Sequence, residues 1–151
     1  MTTRAQQLGK TADSQIAELA AVLSRAGASR LGERCPGREK LGDGTIATVA
    51  AHTANNYQRI ADFIAATRGE QIPRVVPPRH ADRGLDVLLD RLGSARDALT
   101  VIAQLDDAQL DSVPPAGTVK FADGQRTLAM VITSLLKHQR HHVRAIAAAL
   151  T

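Results

Sequence analysis

The chain has 151 residues, the usual size of one domain, which is enough to bury a hydrophobic core without disulfides. Aromatic residues make up only 2% of it and tryptophan is absent, so we expect a core of Leu, Ile, Val and Ala, which favours helices over sheets. The formal net charge is +4, but the basic residues are scattered among acidic ones without forming a stripe, which argues against nucleic-acid binding.

Two segments in the first half of the chain carry the hydrophobic periodicity of amphipathic helices. The first runs from about Thr11 to Ala26, and Gly27 is its expected C-terminal cap. The second runs from about Thr45 to Thr67, with Asp43 or Thr45 as its N-terminal cap.

Two further helices are predicted in the second half. The third starts after Asp82 and carries apolar residues at alternating spacings of three and four, which indicates a face packed against other helices. These positions are Leu85, Leu88, Leu92, Ala95, Leu99 and Ile102. The fourth helix starts near Thr127 and runs almost to the C-terminus.

Long connections rich in glycine and proline separate the four helices. The last, from about Asp106 to Gly124, is expected to hold a short turn or hairpin around Val119–Phe121. Strand-like alternation of useful length is absent from the sequence. The pattern therefore predicts an all-α protein, one four-helix bundle domain over residues 1–151, whose long connections favour a crossover topology.

Neither the N-terminus nor the single cysteine indicates secretion. The N-terminus lacks the pattern of a signal peptide, and no apolar run reaches the ~18 residues that a membrane span needs. Cys35 cannot form an intrachain disulfide, and it precedes Pro36 and Gly37 in a predicted loop. We expect a cytoplasmic protein that contacts no membrane.

Two of the five histidines lie on the apolar face of the fourth helix. His138 and His142 are four residues apart, so their side chains lie one turn apart on the same face. Both continue a seam of apolar positions at spacings of three and four. The seam comprises Leu128, Val131, Leu135, His138, His142, Ala145 and Ala149. His141 lies about 100° round the helix from His142 and is expected to face the solvent.

A buried pair of imidazoles needs partners, since a buried polar group without one is costly. A divalent metal ion would satisfy both rings at once, and histidines at positions i and i+4 are a known metal-ligand spacing. The same spacing also arises by chance on ordinary helices. The fourth helix alone therefore leaves the metal-binding and the structural interpretation equally open.

A third ligand could come from the second helix. His52 lies at the flank of a wide apolar face, so periodicity permits an inward side chain and equally a solvated one. Three neutral imidazoles would leave coordination positions open, as in catalytic sites, and would suit Zn²⁺, Ni²⁺, Fe²⁺ or Mn²⁺. Asp62 lies nearly three turns past His52, too distant to join it. His80 follows two prolines and is expected on the surface.

Three stretches of the chain resemble the DinB-like superfamily, also called DinB/YfiT. These stretches are His52–Tyr57, Gly124–Leu128 and Leu135–His142. The resemblance covers most of the chain in its layout, from the second helix to the end.

The resemblance implies a helical bundle with a long crossover, in which His52, His138 and His142 bind one divalent metal ion, often zinc or nickel. Members with assigned activity are transferases or isomerases that use mycothiol, bacillithiol or glutathione. By analogy the metal would hold the thiol sulfur as a thiolate, which attacks a small electrophile. Homodimers are common in the family.

Two departures from the family pattern leave an alternative open. Many members carry Gln or Glu three residues after the last histidine, where this chain has Ala145, and many carry a tryptophan that this chain lacks. A strong general base is not evident, and His80, His141 and Tyr57 are the only candidates. The alternative is a non-catalytic helical module that binds metal or dimerises without transferase activity.

Overall fold

Helices make up the fold of the computed structural model, which describes residues 2–70 and 84–151. Their bounds are α1 Arg4–Ala26, α2 Ile46–Thr67, α3 Leu85–Ala98, α4 Asp107–Asp111 and α5 Leu128–Ala149, with short 3-10 helices at Ala28–Arg30 and Leu99–Gln104. The described residues form no β-strand, only an isolated antiparallel bridge between Arg34 and Thr45, so the predicted all-α class is confirmed. The helix start predicted at Asp82 lies outside the described residues.

Capping side chains start α2 and α5, and the predicted glycine cap ends α1. At the start of α2, Thr45 accepts a hydrogen bond from the backbone N–H of Thr48, and Thr127 caps α5 in the same way. At the end of α1 the backbone N–H of Gly27 bonds the carbonyl of Leu23.

Two helix starts depend on a capping box, which hydrophobic periodicity does not reveal. α1 begins at Arg4, well before the predicted start, where the side chains of Thr3 and Gln6 each accept a hydrogen bond from the other's backbone N–H. Asp106 and Gln109 do the same at the start of α4, a short helix in the stretch that the sequence assigns to a connection.

The long helices pack into one bundle around a shared core. α2 packs against α3 and α5, and α1 packs against α5 and against α3 with its 3-10 extension. Their buried Leu, Ile, Val and Ala side chains form one hydrophobic cluster, in which the Tyr57 hydroxyl donates to Gln15 Oε1 at 2.6 Å. None of the described helices combines the length and the hydropathy needed to cross a bilayer. The crossover of the connections is not tested by these contacts and stays a prediction.

The loop between α1 and α2 is tied to the start of α2. The N–H of Cys35 donates to the carbonyl of Gly44 at 2.8 Å, and the N–H of Ile46 donates to the carbonyl of Glu33 at 2.9 Å. Gly44 has a φ of 73°, and a Cβ there would lie 2.9 Å from Glu39 Cα, so the loop backbone packs closely on itself. Cys35 is fully buried, and burial raises the pKa of its thiol, which disfavours a reactive thiolate.

The turn predicted before α5 is present at Val119–Phe121. The N–H of Ala122 donates to the carbonyl of Val119 at 3.1 Å. Phe121 has a φ of 75°, a left-handed conformation that is uncommon for a bulky residue. The turn brings the Phe121 ring against His138 of α5, with the ring centroids 6.2 Å apart.

Candidate metal centre

Three imidazole rings from α2 and α5 lie against each other. The ring centroids of His52 and His142 are 5.3 Å apart, and those of His138 and His142 are 5.2 Å apart. The two rings of each pair are nearly perpendicular, at 86° and 89°. His142 is buried, while His52 and His138 are half-buried. The fold therefore brings together the three histidines that the sequence singles out.

The buried stripe of α5 differs from the predicted seam. Gln139 and His142 are buried, whereas His138 lies at the edge of the stripe, which corrects the expectation that His138 faces the core. Gln139 is accommodated there because its amide oxygen accepts a hydrogen bond from Asn56 Nδ2 of α2 at 3.3 Å. His141 is exposed, as expected.

His142 has a different environment at each ring nitrogen. Arg38 Nε donates to His142 Nδ1 at 3.0 Å. Because a guanidinium nitrogen can only donate, Nδ1 is the acceptor, and the neutral ring carries its proton on Nε2. Nε2 is buried and has no hydrogen-bond partner among the described residues. Leaving such a group unpaired costs roughly 1–3 kcal/mol.

His52 is oriented by a neighbour on its own helix. Asn56 Nδ2 lies 3.0 Å from His52 Nε2. An amide nitrogen can only donate, so Nε2 is the acceptor and the neutral ring carries its proton on Nδ1. Because Asn56 also bonds Gln139, it links the His52 ring to α5.

Burial and neighbouring cations keep all three rings neutral at neutral pH. Desolvation is the main cause that lowers the pKa values of His52, His138 and His142, the last to about 4. The charge of Lys120 also lowers the pKa values of His52 and His138, and that of Arg38 lowers the pKa of His142. A neutral imidazole has a lone pair that can accept a hydrogen bond or bind a metal ion.

A cavity of about 760 Å³ lies between the second half of α2 and segment 112–119. Arg59, Phe63 and Val119 are among the residues that line it. Arg59 also lowers the pKa of His52, so the same positive charge acts on the cavity and on the histidines. A cavity of this size can accommodate a small molecule.

The three imidazoles fit a divalent metal ion in their residue type, their neutral charge and their proximity. The buried Nε2 of His142 is unpartnered, and an ion would satisfy it once the ring proton has moved from Nε2 to Nδ1. The present arrangement is not closed around an ion, since the described part of the chain holds no group of three or more His, Cys, Asp or Glu side chains placed to bind one. The lone pairs of His52 Nε2 and His142 Nδ1 are engaged by Asn56 and Arg38. The ligand role of the three histidines therefore stays a prediction.

The sequence-based candidates for a general base differ in their surroundings. Tyr57 is fully buried and bonds Gln15, and burial raises its pKa above its ordinary value. His141 is exposed, and His80 lies outside the described residues. Asp62 lines the cavity, and its carboxylate accepts a hydrogen bond from Gln58 Nε2.

Arg38, Asn56 and Gln139 contact the candidate site without having been singled out from the sequence. Asn56 and Gln139 lie within the two histidine-containing stretches that carry the family resemblance, so a search for polar residues one turn from each histidine would have found them. Arg38 lies in a loop that is far from His142 in the sequence, and hydrophobic periodicity does not indicate contacts of that kind.

A family model described as DinB superfamily matches residues 12–146. The matched region includes all of α2 and α5 as far as Ile146, with all three histidines. The chain matches no curated protein and no solved structure at a significant level.

Proposed function

We propose that this chain, which belongs to the DinB superfamily, binds one divalent metal ion through His52, His138 and His142, with zinc or nickel as the expected ion. The observation that carries the proposal is the buried Nε2 of His142, which has no partner among the described residues and lies beside two further neutral imidazoles. Its burial without a partner is unfavourable, and an ion would supply the missing interaction in the tautomer whose lone pair lies on Nε2.

The protein contributes neutral nitrogen donors held on two packed helices. His52 comes from α2, and His138 and His142 come from α5, so helix packing sets the separation of the rings. The lowered pKa values mean that the rings need not lose a charge before they bind an ion. When bound, the ion would favour the thiolate form of a thiol, which is the nucleophile in thiol chemistry.

The activity that we propose is thiol-dependent transfer to a small electrophile, with mycothiol, bacillithiol or glutathione as the thiol. The cavity of about 760 Å³ has room for a small substrate beside α2. The positive charges of Arg59 and Lys120 act on His52 and that of Lys120 also acts on His138, and they would favour a negatively charged sulfur there. A homodimer is the assembly that we expect.

Metal analysis tests the binding proposal. Protein purified without a chelator and without a histidine tag should hold or take up roughly one equivalent of Zn²⁺ or Ni²⁺ per chain, as a single three-histidine site requires. The double variant His138→Ala, His142→Ala should take up none. His141→Ala is the matched control, because His141 is on the same helix but exposed, and it should keep full stoichiometry. A wild-type protein that takes up neither ion would overturn the proposal.

A thiol panel separates the enzyme from the alternative, a non-catalytic metal-binding or dimerising module. Metal-loaded protein is incubated with each of the three thiols and a haloarene, and the thioether product is measured. Turnover that is lost in the double variant supports a transferase. A metal-loaded protein without turnover with any thiol favours the module, which Ala145 also favours.

A further inference from the structure

Arg38 reaches the histidine cluster from the loop between α1 and α2. Its Nε–H donates to His142 Nδ1 at 3.0 Å, while one of its terminal nitrogens donates to the carbonyl of Gly37 at 2.9 Å. Its charge has no carboxylate partner within ion-pair distance among the described residues. The contact to His142 is thus the main interaction of the guanidinium beyond its own loop.

The contact leaves neither nitrogen of His142 available to a metal ion. Nδ1 is occupied because its lone pair accepts the Arg38 hydrogen bond, and Nε2 is occupied because the neutral ring then carries its proton there. Binding through Nε2 requires that Nε2 loses its proton and that Nδ1 gains one, and a protonated Nδ1 would face the Nε–H of Arg38 donor to donor. Binding through Nδ1 requires that Arg38 leaves directly.

We propose that Arg38 competes with the metal ion for His142, so that the ion binds only when the guanidinium has left Nδ1. The inference rests on the proposed ligand role of His142 and adds a specific residue that opposes it. Electrostatics acts in the same direction, since a guanidinium beside a ligand nitrogen repels a divalent cation.

The loop holds the backbone of Arg38 in place. The N–H of Arg38 donates to the carbonyl of Cys35 at 3.1 Å, and the carbonyl of Arg38 accepts from Leu41 at 3.0 Å. Cys35 is in turn bonded to Gly44, where the backbone packs closely. Release of His142 therefore needs a change in the Arg38 side chain and no rearrangement of the loop.

Asn56 provides the internal comparison. It occupies the lone pair of His52 Nε2 but leaves that ring with its proton on Nδ1, the tautomer that a metal ion at Nε2 needs. An ion would displace a neutral amide at His52, whereas at His142 it has to displace a cation and change the tautomer. Arg38, and not Asn56, is therefore the principal barrier to loading.

The first experiment measures Zn²⁺ affinity by competition with a chromophoric chelator. Arg38→Met preserves an unbranched side-chain stem but removes the hydrogen-bond donor and the charge. The variant should bind Zn²⁺ about tenfold or more tightly than wild type, as expected for loss of a charge-assisted hydrogen bond. Arg34→Met is the matched control: Arg34 is exposed in the same loop and bonds none of the described histidines, so it should change affinity by less than about threefold. Equal or weaker binding by folded Arg38→Met would overturn the inference.

The second experiment reads the His142 tautomer by ¹⁵N NMR of metal-free protein labelled at histidine. Wild type should show a protonated Nε2 and an unprotonated Nδ1, and Arg38→Met should populate the other tautomer. A wild-type His142 protonated on Nδ1 would overturn the role of Arg38 whether or not zinc binds. Failure of wild type and of both variants to bind Zn²⁺ or Ni²⁺ would instead show that the metal-binding proposal is wrong. The proposed competition between Arg38 and the ion would then be wrong as well.

Discussion

His142 is a buried imidazole whose neutral form is favoured by its surroundings. Only 7% of the residue is exposed, and Arg38 places a positive charge at one of its nitrogens. Protonation would put a second positive charge in the same buried place, where neither burial nor the guanidinium favours it. Folding is therefore linked to the deprotonation of this side chain.

The pH dependence of stability should show this linkage in the metal-free protein. The pKa of His142 is lowered from 6.5 to about 4 on folding, so the unfolded chain binds more protons between these values and stability falls as pH decreases through that window. The loss attributable to His142 is on the order of 3 kcal/mol, at 1.36 kcal/mol per pKa unit. Urea unfolding of His142→Gln should show a flatter profile between pH 6.5 and 4, while exposed His141→Gln should follow wild type. Parallel profiles for wild type and His142→Gln would contradict the assignment.

A second buried polar contact, between Tyr57 and Gln15, lies in the core. Tyr57→Phe removes the donor and leaves the buried Gln15 Oε1 unpaired, so we expect a loss of about 1–3 kcal/mol in the free energy of unfolding. In the double variant Tyr57→Phe, Gln15→Met, both partners are apolar. It should lose less stability than the two single variants added together. Additive losses in urea unfolding would show that the hydrogen bond contributes little.

Individual side chains were only partly predictable from the sequence. Helical spacing placed His138 and His142 on neighbouring turns, but it could not foresee that Gln139 is buried, because the partner that satisfies Gln139 comes from another helix. The contact of Arg38 with His142 joins positions 104 residues apart. Such contacts depend on tertiary packing, about which local periodicity carries no information.

At the scale of elements, the loop before α2 has a closely packed backbone and carries Arg38, whose side chain contacts His142. Gly44→Ala would force a left-handed φ on a residue with a Cβ, and the Cβ would lie 2.9 Å from Glu39 Cα. We expect a loss of roughly 2 kcal/mol or more in thermal or urea unfolding. Gly32→Ala is the control, since a Cβ there meets nothing within 4 Å, and it should stay within about 0.5 kcal/mol of wild type. Equal stability of the two variants would show that the loop adapts without strain.

Helix positions were more predictable than helix limits. The starts of α2 and α5 follow from Thr45 and Thr127, because each combines a capping side chain with the onset of a strong apolar stripe. The early start of α1 and the existence of α4 depend on capping boxes at Thr3 and Asp106. Those signals are short and polar, and the few apolar positions beside them do not produce a clear period.

For the whole molecule, the candidate site connects two helices that also build the core. α2 and α5 pack against each other, and each contributes buried residues to the shared hydrophobic cluster as well as histidines to the site. An ion held by both helices would bind the folded chain and not the unfolded one, because only folding brings the three rings together. Metal binding should therefore stabilise the whole fold.

Thermal unfolding measures that stabilisation. With free Zn²⁺ at 100 times its dissociation constant, linkage predicts a gain of about 2.7 kcal/mol, which for a domain of this size raises the midpoint by roughly 5–10 °C. The double variant His138→Ala, His142→Ala should show no rise. Arg38→Met should reach the same rise at a lower zinc concentration, because no guanidinium occupies His142 in that variant. The wild-type midpoint should increase steadily with zinc concentration, since the gain depends on the logarithm of free ligand. A midpoint that does not respond to zinc in wild type or in Arg38→Met would show that the histidine cluster does not couple an ion to folding.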